Sequence, residues 1–329
     1  MIQLPPLGMG CAAIGNLYRF VDDQLADETV AAALANGISY FDVAPHYGFG
    51  LAEERLGRAL ARHDPTQHAI VSTKVGRLLT STDSDAVERH GFVGAPPLEP
   101  VFDYTHDGVL RSHEASLARL GRDWIDILFA HDLGTATHGE QAAQHLRDFL
   151  DGGYPALRRL RDEGAVGEIG IGVNEIAVCQ DLLDRVELDV VLLAGRYTLL
   201  EQDEAAPLLE RCERLGTRIV IGGPYNSGIL VEGSARAAAS HFNYAPPPPE
   251  VIARVARLEQ VCDTYGVPLA AAALQFPKRA PAVASVIPGL VGPDQVRATM
   301  CLAARAIPDT LWDDCHLALQ SQPNLETAP

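Results

Sequence analysis

Several things are missing from this 329-residue sequence, and each absence removes a class of function. No run of about 18 apolar residues is present, which excludes a membrane-spanning helix. Basic residues are outnumbered 26 to 43, giving a net charge of −17. That balance speaks against nucleic acid and anionic membrane partners, because phosphate recognition needs a basic patch. The acidic surplus is scattered rather than blocked, so it reads as a solubility feature. The six cysteines, Cys11, Cys179, Cys212, Cys262, Cys301 and Cys315, form no CxxC pair, and reduced thiols are the simplest account. HExxH does not occur, and neither His106 with His113 nor His138 with His145 has a spacing that requires zinc, so no metal is expected. Ser227 does not sit in a G-x-S-x-G elbow. The opening MIQLPPLGMG has neither a basic segment nor a long apolar one, so a cytoplasmic protein without a signal peptide is expected.

What is there supports a large core. Hydrophobic residues make up 47% of the chain and the mean hydropathy is +0.03. The length permits two domains or one large α/β barrel. Short apolar runs alternate with amphipathic helical stretches eight times, from Leu7–Cys11 to the ASVIPGL segment. The runs are continuous rather than alternating, as in strands buried on both faces. Eight such units closing on themselves make a (β/α)₈ barrel, here expected as one domain over 1–329. An open doubly wound sheet is the alternative. It fails on a specific point: GMGCAAIG after the first strand fits G-x-G-x-x-G poorly, and Gly170-Ile171-Gly172 lacks a third glycine. Three irregular stretches interrupt the pattern, at about 75–106, 132–145 and 224–249. Loops this long are usually functional lids or disordered.

In such a barrel the chemistry sits at the C-terminal ends of the strands. Those positions hold Asp42, with Tyr47 just beyond it, then Lys74, His131 and Asn174. Taken singly, Asp42 reads as a turn residue, Lys74 as an exposed cation and His131 as a satisfied core histidine. Together they make a proton-transfer device. A free phenol ionises near pH ~10, and an ammonium beside it favours the phenolate. A carboxylate keeps the lysine charged and aimed. A histidine can hydrogen-bond a substrate oxygen and orient it.

The segments FDVAPHYG, VSTKVGR, IDILFAHD and IGIGVNE resemble the core motifs of the aldo-keto reductase superfamily, over nearly the whole chain. The resemblance implies a barrel that binds NAD(P)(H) across its rim, with a catalytic tetrad at Asp42, Tyr47, Lys74 and His131. It further implies cofactor contacts from Gly10, Cys11, Asn174, Gly222, Gly223, Pro224, Gly289 and Gln295. GNLYR, FDVAPHYGFGLAEERLGRAL, STKVGRLL and GVNE are most similar to the aldose 1-dehydrogenase branch, which oxidises L-fucose and related D-threo-aldoses and includes similar pyridoxal 4-dehydrogenases. The expected reaction is therefore oxidation of a free sugar's anomeric hydroxyl to the lactone, with the pyridoxal hemiacetal as the alternative substrate. A Schiff-base lyase using Lys74 and a non-catalytic NAD(P)-binding subunit remain as other classes. Tyr18, Phe49 and Trp312 are candidate apolar walls for the sugar. Arg77, directly after the third strand, either reaches the site or pairs with an acidic loop residue.

The sequence departs from the family pattern in three places. Asn174-Glu175 stands where many relatives have Ser-Asn for the nicotinamide amide. Gly222 stands where many have a stacking tyrosine. Ile287-Pro288-Gly289-Leu290, with Gln295, lacks the cations that grip a 2′-phosphate in NADP-preferring relatives. Without those charge-assisted contacts, NAD is expected to be preferred and NADP possible, with Arg297 one turn away as the cation that rescues it.

Overall fold

The computed structural model describes residues 1–243 and 245–320. The last part of the expected domain, 321–329, lies outside the described residues. Eight parallel strands form one sheet in chain order. They are β1 (Met9–Gly10), β2 (Tyr40–Asp42), β3 (Ile70–Val75), β4 (Ile125–His131), β5 (Val166–Val173), β6 (Val190–Ala194), β7 (Arg218–Gly222) and β8 (Val283–Ile287). Parallel bridges from Leu7 to Val286 and from Gly10 to Gly289 join the last strand back to the first. The chain is thus a (β/α)₈ barrel, with helices packed outside every strand.

The helices start and stop where local chemistry dictates. Asp22 caps Asp23–Ala35, its carboxylate accepting from Leu25 N at 2.7 Å. Asn36 and Gly37, the latter with φ 85°, end it. One cap differs from the sequence reading, which places Asp107 at the start of the helix after the insertion. The helix runs His106–Leu120, and Thr105 caps it by accepting from Gly108 N at 3.2 Å. Asp107 lies in the first turn, where its charge suits the helix dipole. The final segment, read from sequence only as a tail, is a helix over Thr310–Gln320 that packs on the helix Pro249–Thr264.

Side chains alternate along a strand, and this decides what the barrel rim carries. The small cluster inside the barrel consists of Tyr40, Ile127, Phe129, Val190, Leu192, Val220 and Ile287. Two residues beyond Tyr40 is Asp42, and two beyond Phe129 is His131. Ser72, which bonds the inward Tyr40 hydroxyl at 3.0 Å, is followed two residues later by Lys74. The same alternation that fills the interior with apolar groups brings these polar ones to its C-terminal mouth. The larger cluster, between strands and helices, supplies most of the buried apolar surface.

The described residues of the irregular stretches carry regular pairing and helical turns. Arg77–Ser81 pairs antiparallel with Leu98–Phe102, and Glu88–Arg89 with Phe92–Val93. This insertion folds back on the first loop: Leu17 pairs with Phe92, Tyr18 N donates to Gly91 O at 2.8 Å and Asn16 Nδ2 to Val93 O at 2.9 Å. The third loop joins them through Tyr18, whose ring stacks on His241 at 4.6 Å. The three loops of the sequence reading therefore reduce to two that meet over the rim, 75–106 and 224–249, and a helical one beside it, built of Thr135–His138 and Ala142–Asp148.

Candidate active site

Lys74 is the centre of the rim cluster. Its side chain is 1% exposed, and its ammonium donates to Asp42 Oδ2 at 2.7 Å and to the Val43 carbonyl at 2.9 Å. The same nitrogen lies 4.7 Å from the centroid of the Tyr47 ring. Gly172 makes the path possible: a Cβ there would stand 3.2 Å from Lys74 Cε, so a bare backbone lets the long stem cross. Asp42 is fixed from its other oxygen by the Ser72 hydroxyl at 2.7 Å. Burial pushes the Asp42 carboxyl up, and the adjoining Lys74 ammonium and Ser72 hydroxyl pull it back.

Tyr47 owes its place to a close backbone contact. Gly48, at φ 62°, would put a Cβ 2.3 Å from Gly15 O, and one on Gly15 would stand 2.9 Å from Tyr47 C. Only glycines allow this approach, which presses the Tyr47 loop onto the first loop. His131 closes the group, its ring 6.1 Å from that of Tyr47 and perpendicular to it. Burial holds the His131 imidazole well below its usual range, helped by the cations of Arg77 and Lys74. It is therefore a neutral ring at pH 7. The acid, phenol, amine and imidazole expected from the sequence are together at one mouth.

Other expected contacts divide. Gly222 and Gly223 at the end of β7, and Gly289 after β8, present bare backbone. A Cβ on Gly289 would meet nothing within 4 Å, so that stretch faces open space. Pro224 follows directly. Gly10 N is given to Pro288 O at 2.9 Å, so this residue is held against the end of β8. Asn174 is half-buried at the rim, its carbonyl accepting from Arg196 Nε at 2.7 Å. Gln295 is exposed and its side-chain oxygen accepts from Val291 N at 2.9 Å. Arg297, the cation one turn away, is paired with Asp294.

Three expectations are corrected. The Cys11 side chain is 0% exposed and its N–H is given to Asp42 O at 2.8 Å, so the thiol packs beneath the rim rather than facing a ligand. Phe49 is also fully buried. Gly48, Phe49 and Gly50 all have positive φ, and that run turns the ring inward against Phe92, with Arg89 over its face at 4.8 Å. Trp312 is buried against Phe276 and Arg279, outside the cluster of rim residues. Tyr18 is 41% exposed at the mouth.

Residues that strand-end reasoning passes over complete the surroundings. His46, between Pro45 and Tyr47, packs edge-on to Phe92 at 5.3 Å and His131 at 6.1 Å. Its proximity to Tyr47 in sequence is the signal that marks it. Arg77 is paired with Asp132, the residue after His131, so it both meets an acid and borders the site. Glu175 does not reach toward a ligand. Its carboxylate accepts from Ala136 N at 3.0 Å and Thr135 Oγ1 at 3.2 Å, pinning the loop after β4.

His46 gives the site a measurable acid response. Burial, with Arg77, His90 and Lys74 nearby, holds its imidazole down to about 2. The unfolded chain takes that proton near pH ~6.5. The stabilising difference is complete above that pH and is lost as the pH falls toward the folded value. One such group costs about 1.4 kcal/mol per pH unit in that window. His46→Gln should therefore flatten the loss of stability between neutral pH and pH ~5 by about that slope, read from denaturant midpoints. An unchanged slope would show that His46 is protonated in the folded protein.

The Aldo/keto reductase family matches residues 6–316. The chain belongs to that family. It is similar to a pyridoxal 4-dehydrogenase from Microbacterium luteolum, 42% identical over 94% of this chain and 93% of the relative. It is also similar to a D-threo-aldose 1-dehydrogenase from a Pseudomonas species, 37% identical over 94% and 93%. Among solved structures, a glycerol dehydrogenase from Gluconobacter oxydans superposes with a TM-score of 0.75 at 21% identity, over 96% of this chain and 91% of that one. An aldo-keto reductase from Bacillus halodurans superposes at 0.74 and 24%, over 95% and 91%. As an aldo-keto reductase the protein is an oxidoreductase acting on a small molecule with a pyridine nucleotide. Exposed, bare backbone at Gly223 and Gly289 fits such a group lying across the rim, while Gly222 is buried against Leu192 and Ala194. No helix of the described residues is long and apolar enough to cross a membrane, and no group of metal-ligating side chains occurs among them.

Proposed function

We propose that this aldo-keto reductase oxidises the anomeric hydroxyl of a free aldose, L-fucose or a related D-threo-aldose, to the lactone. One observation carries the reading: the buried Lys74 ammonium touches Asp42 on one side and faces the Tyr47 ring on the other. A phenol beside a fixed cation gives up its proton more easily. Tyr47, as phenolate, takes the proton of the anomeric hydroxyl. Lys74 stabilises the negative charge, and Asp42 keeps Lys74 ionised and aimed. His131, neutral, hydrogen-bonds the reacting oxygen and fixes its direction. When bound, the nicotinamide supplies the hydride acceptor. Gly222, Gly223, Pro224, Gly289, Gly10 and Asn174 hold the nucleotide, and Tyr18 meets the substrate at the mouth. The 37% identity to a D-threo-aldose 1-dehydrogenase supports this choice of substrate.

A second substrate is favoured by the 42% identity to a pyridoxal 4-dehydrogenase. The hemiacetal of pyridoxal presents the same reacting centre, and His46 and Phe92 offer aromatic faces close to Tyr47. Turnover of L-fucose, D-arabinose, L-galactose and pyridoxal, followed by nicotinamide absorbance, ranks the two. No turnover on any of them removes both. A Schiff-base lyase fits less well, because Lys74 is engaged as a donor to Asp42 and Val43. The chain has two lysines, Lys74 and Lys278, so borohydride trapping with substrate has only one other position to distinguish.

The cofactor preference is NAD. Gly289 and Leu290 supply no charge, Gln295 caps its own loop and Arg297 is paired with Asp294. A 2′-phosphate thus meets no cation at Gly289, Leu290 or Gln295, and Arg297 offers only a guanidinium shared with Asp294 in an exposed pair. kcat/KM with NAD should exceed that with NADP by about tenfold or more. A preference for NADP would place a cation on the phosphate that this reading has missed.

A further inference from the structure

Asp132 follows His131 and has no part in the chemistry described so far. Its backbone is held at φ 46°, a left-handed conformation that is uncommon for a residue with a side chain. Such strain persists only where the surroundings over-determine it. Here they do. The Tyr104 hydroxyl meets the carbonyls of His131 at 2.6 Å and Asp132 at 2.8 Å. His138 Nε2 is 2.6 Å from the same Asp132 oxygen, and Asp132 N donates to Gly172 O at 2.9 Å. Glu175 pins the next turn. The outcome of all these contacts is the position of one carboxylate. It is paired with Arg77, and its Oδ2 lies 3.4 Å from His131 Nε2.

We infer that Asp132, clamped by Arg77, is a positioning residue that keeps the hydrogen of the neutral His131 ring on Nε2 and fixes the ring's direction. A neutral imidazole carries its hydrogen on one nitrogen only, and the partner of each nitrogen decides which. A carboxylate accepts and cannot donate, so the nitrogen facing Asp132 is the one that bears hydrogen. The other nitrogen, Nδ1, is buried with no hydrogen-bond partner among the described residues, so nothing competes for the opposite tautomer. At 3.4 Å the contact is longer than a hydrogen bond, and the N–H remains free to turn toward an oxygen arriving beside Tyr47. Arg77, itself 8% exposed, keeps the carboxylate from swinging away and from leaving its charge unpaired. The other charged or titratable groups facing this pair are Lys74, Tyr47, His46, Glu175, Tyr104 and His138. The role in turnover rests on the oxidoreductase reading above; the tautomer assignment does not.

Two variants separate the possibilities. Asp132→Gly removes the carboxylate without backbone strain, because glycine accepts the positive φ. Asp132→Asn keeps an oxygen for Arg77 if loss of the pair unfolds the glycine variant. The probe is nitrogen NMR of labelled histidine in the NAD-bound enzyme, with the His131 signal assigned by its loss in His131→Gln. Nε2–H in the natural protein, changing to Nδ1–H or to a mixture in Asp132→Gly, is the expected result; Asp132→Asn should show a mixture. The same tautomer in the natural protein and in every variant that folds overturns the inference, as does Nδ1–H in the natural protein. In turnover, kcat should fall about tenfold to hundredfold, with KM for the substrate and affinity for NAD changed less than about threefold, since binding contacts are kept. If the natural protein oxidises none of the proposed substrates, that reading fails while the tautomer result still decides this one.

Discussion

Replacing Tyr47 by Phe should lower kcat by about a thousandfold or more while leaving affinity for the nucleotide within about twofold. On the proposed mechanism the phenolic oxygen exchanges the proton with substrate, and the Lys74 cation beside its ring lowers the cost of ionisation. A positioned acid or base contributes about 10² to 10⁴ in rate, and no neighbour can take over. Lys74 is held by Asp42 and Val43, and His131 is a neutral ring whose burial opposes taking a proton. The substitution removes an oxygen and no carbon. The loop is set by its backbone, through the approach of Gly48 to Gly15 and the bond from Ala52 N to Tyr47 O at 3.2 Å, so the ring keeps its place. Steady-state rates and a fluorescence titration with NAD check both halves. A variant that still turns over within tenfold of the natural enzyme would remove Tyr47 from the mechanism.

The second large effect concerns Lys74, where catalysis and stability coincide. Lys74→Met keeps the length of the stem and deletes the charge. The carboxylate of Asp42, 2% exposed, then stays buried without its partner. Breaking a buried pair from one side costs about 3–5 kcal/mol. Turnover should also fall about a thousandfold, because the phenol loses the cation that favours its ionised form. The double change Asp42→Leu with Lys74→Met separates the two losses. Removing both charges should recover most of the stability, since an apolar pair of similar volume replaces a buried ion pair at little cost. It should recover none of the rate. Denaturant midpoints and kcat report the two quantities independently. A Lys74→Met protein within 1 kcal/mol of the natural one would mean that Asp42 is already neutral, and the lysine would then have no charge partner to aim it.

Much of this was legible without coordinates, because it depends on local rules. Continuous apolar runs of strand length, separated by amphipathic stretches, leave few architectures other than a barrel. The alternation of side chains then puts Asp42, Lys74 and His131 on the inward side at or next to the C-terminal ends of adjacent strands, each two register positions beyond the last. The residues that sequence reasoning misplaced fail for reasons that are equally physical. Phe49 sits among three successive positive-φ residues, where alternation no longer says which way a side chain turns. Trp312 belongs to a helix whose docking partner is far away in the chain, at Phe276 and Arg279. Cys11, implied by the resemblance as a cofactor contact, gives its N–H to the neighbouring strand and has its side chain fully buried.

By itself, the order of residues determined the barrel, the four groups at its mouth and the absence of a cation from Ile287-Pro288-Gly289-Leu290. Tertiary structure alone decided that Arg77 reaches across 55 residues of chain to Asp132, that Asp132 faces His131, and that Phe92 is laid over His46 by a ribbon folding back on the first loop. The difference is one of range. Backbone alternation and helix capping act over a few residues and leave a trace in the sequence. The pairing of a cation with a distant acid is set by how long loops pack, and packing leaves no pattern in either partner alone.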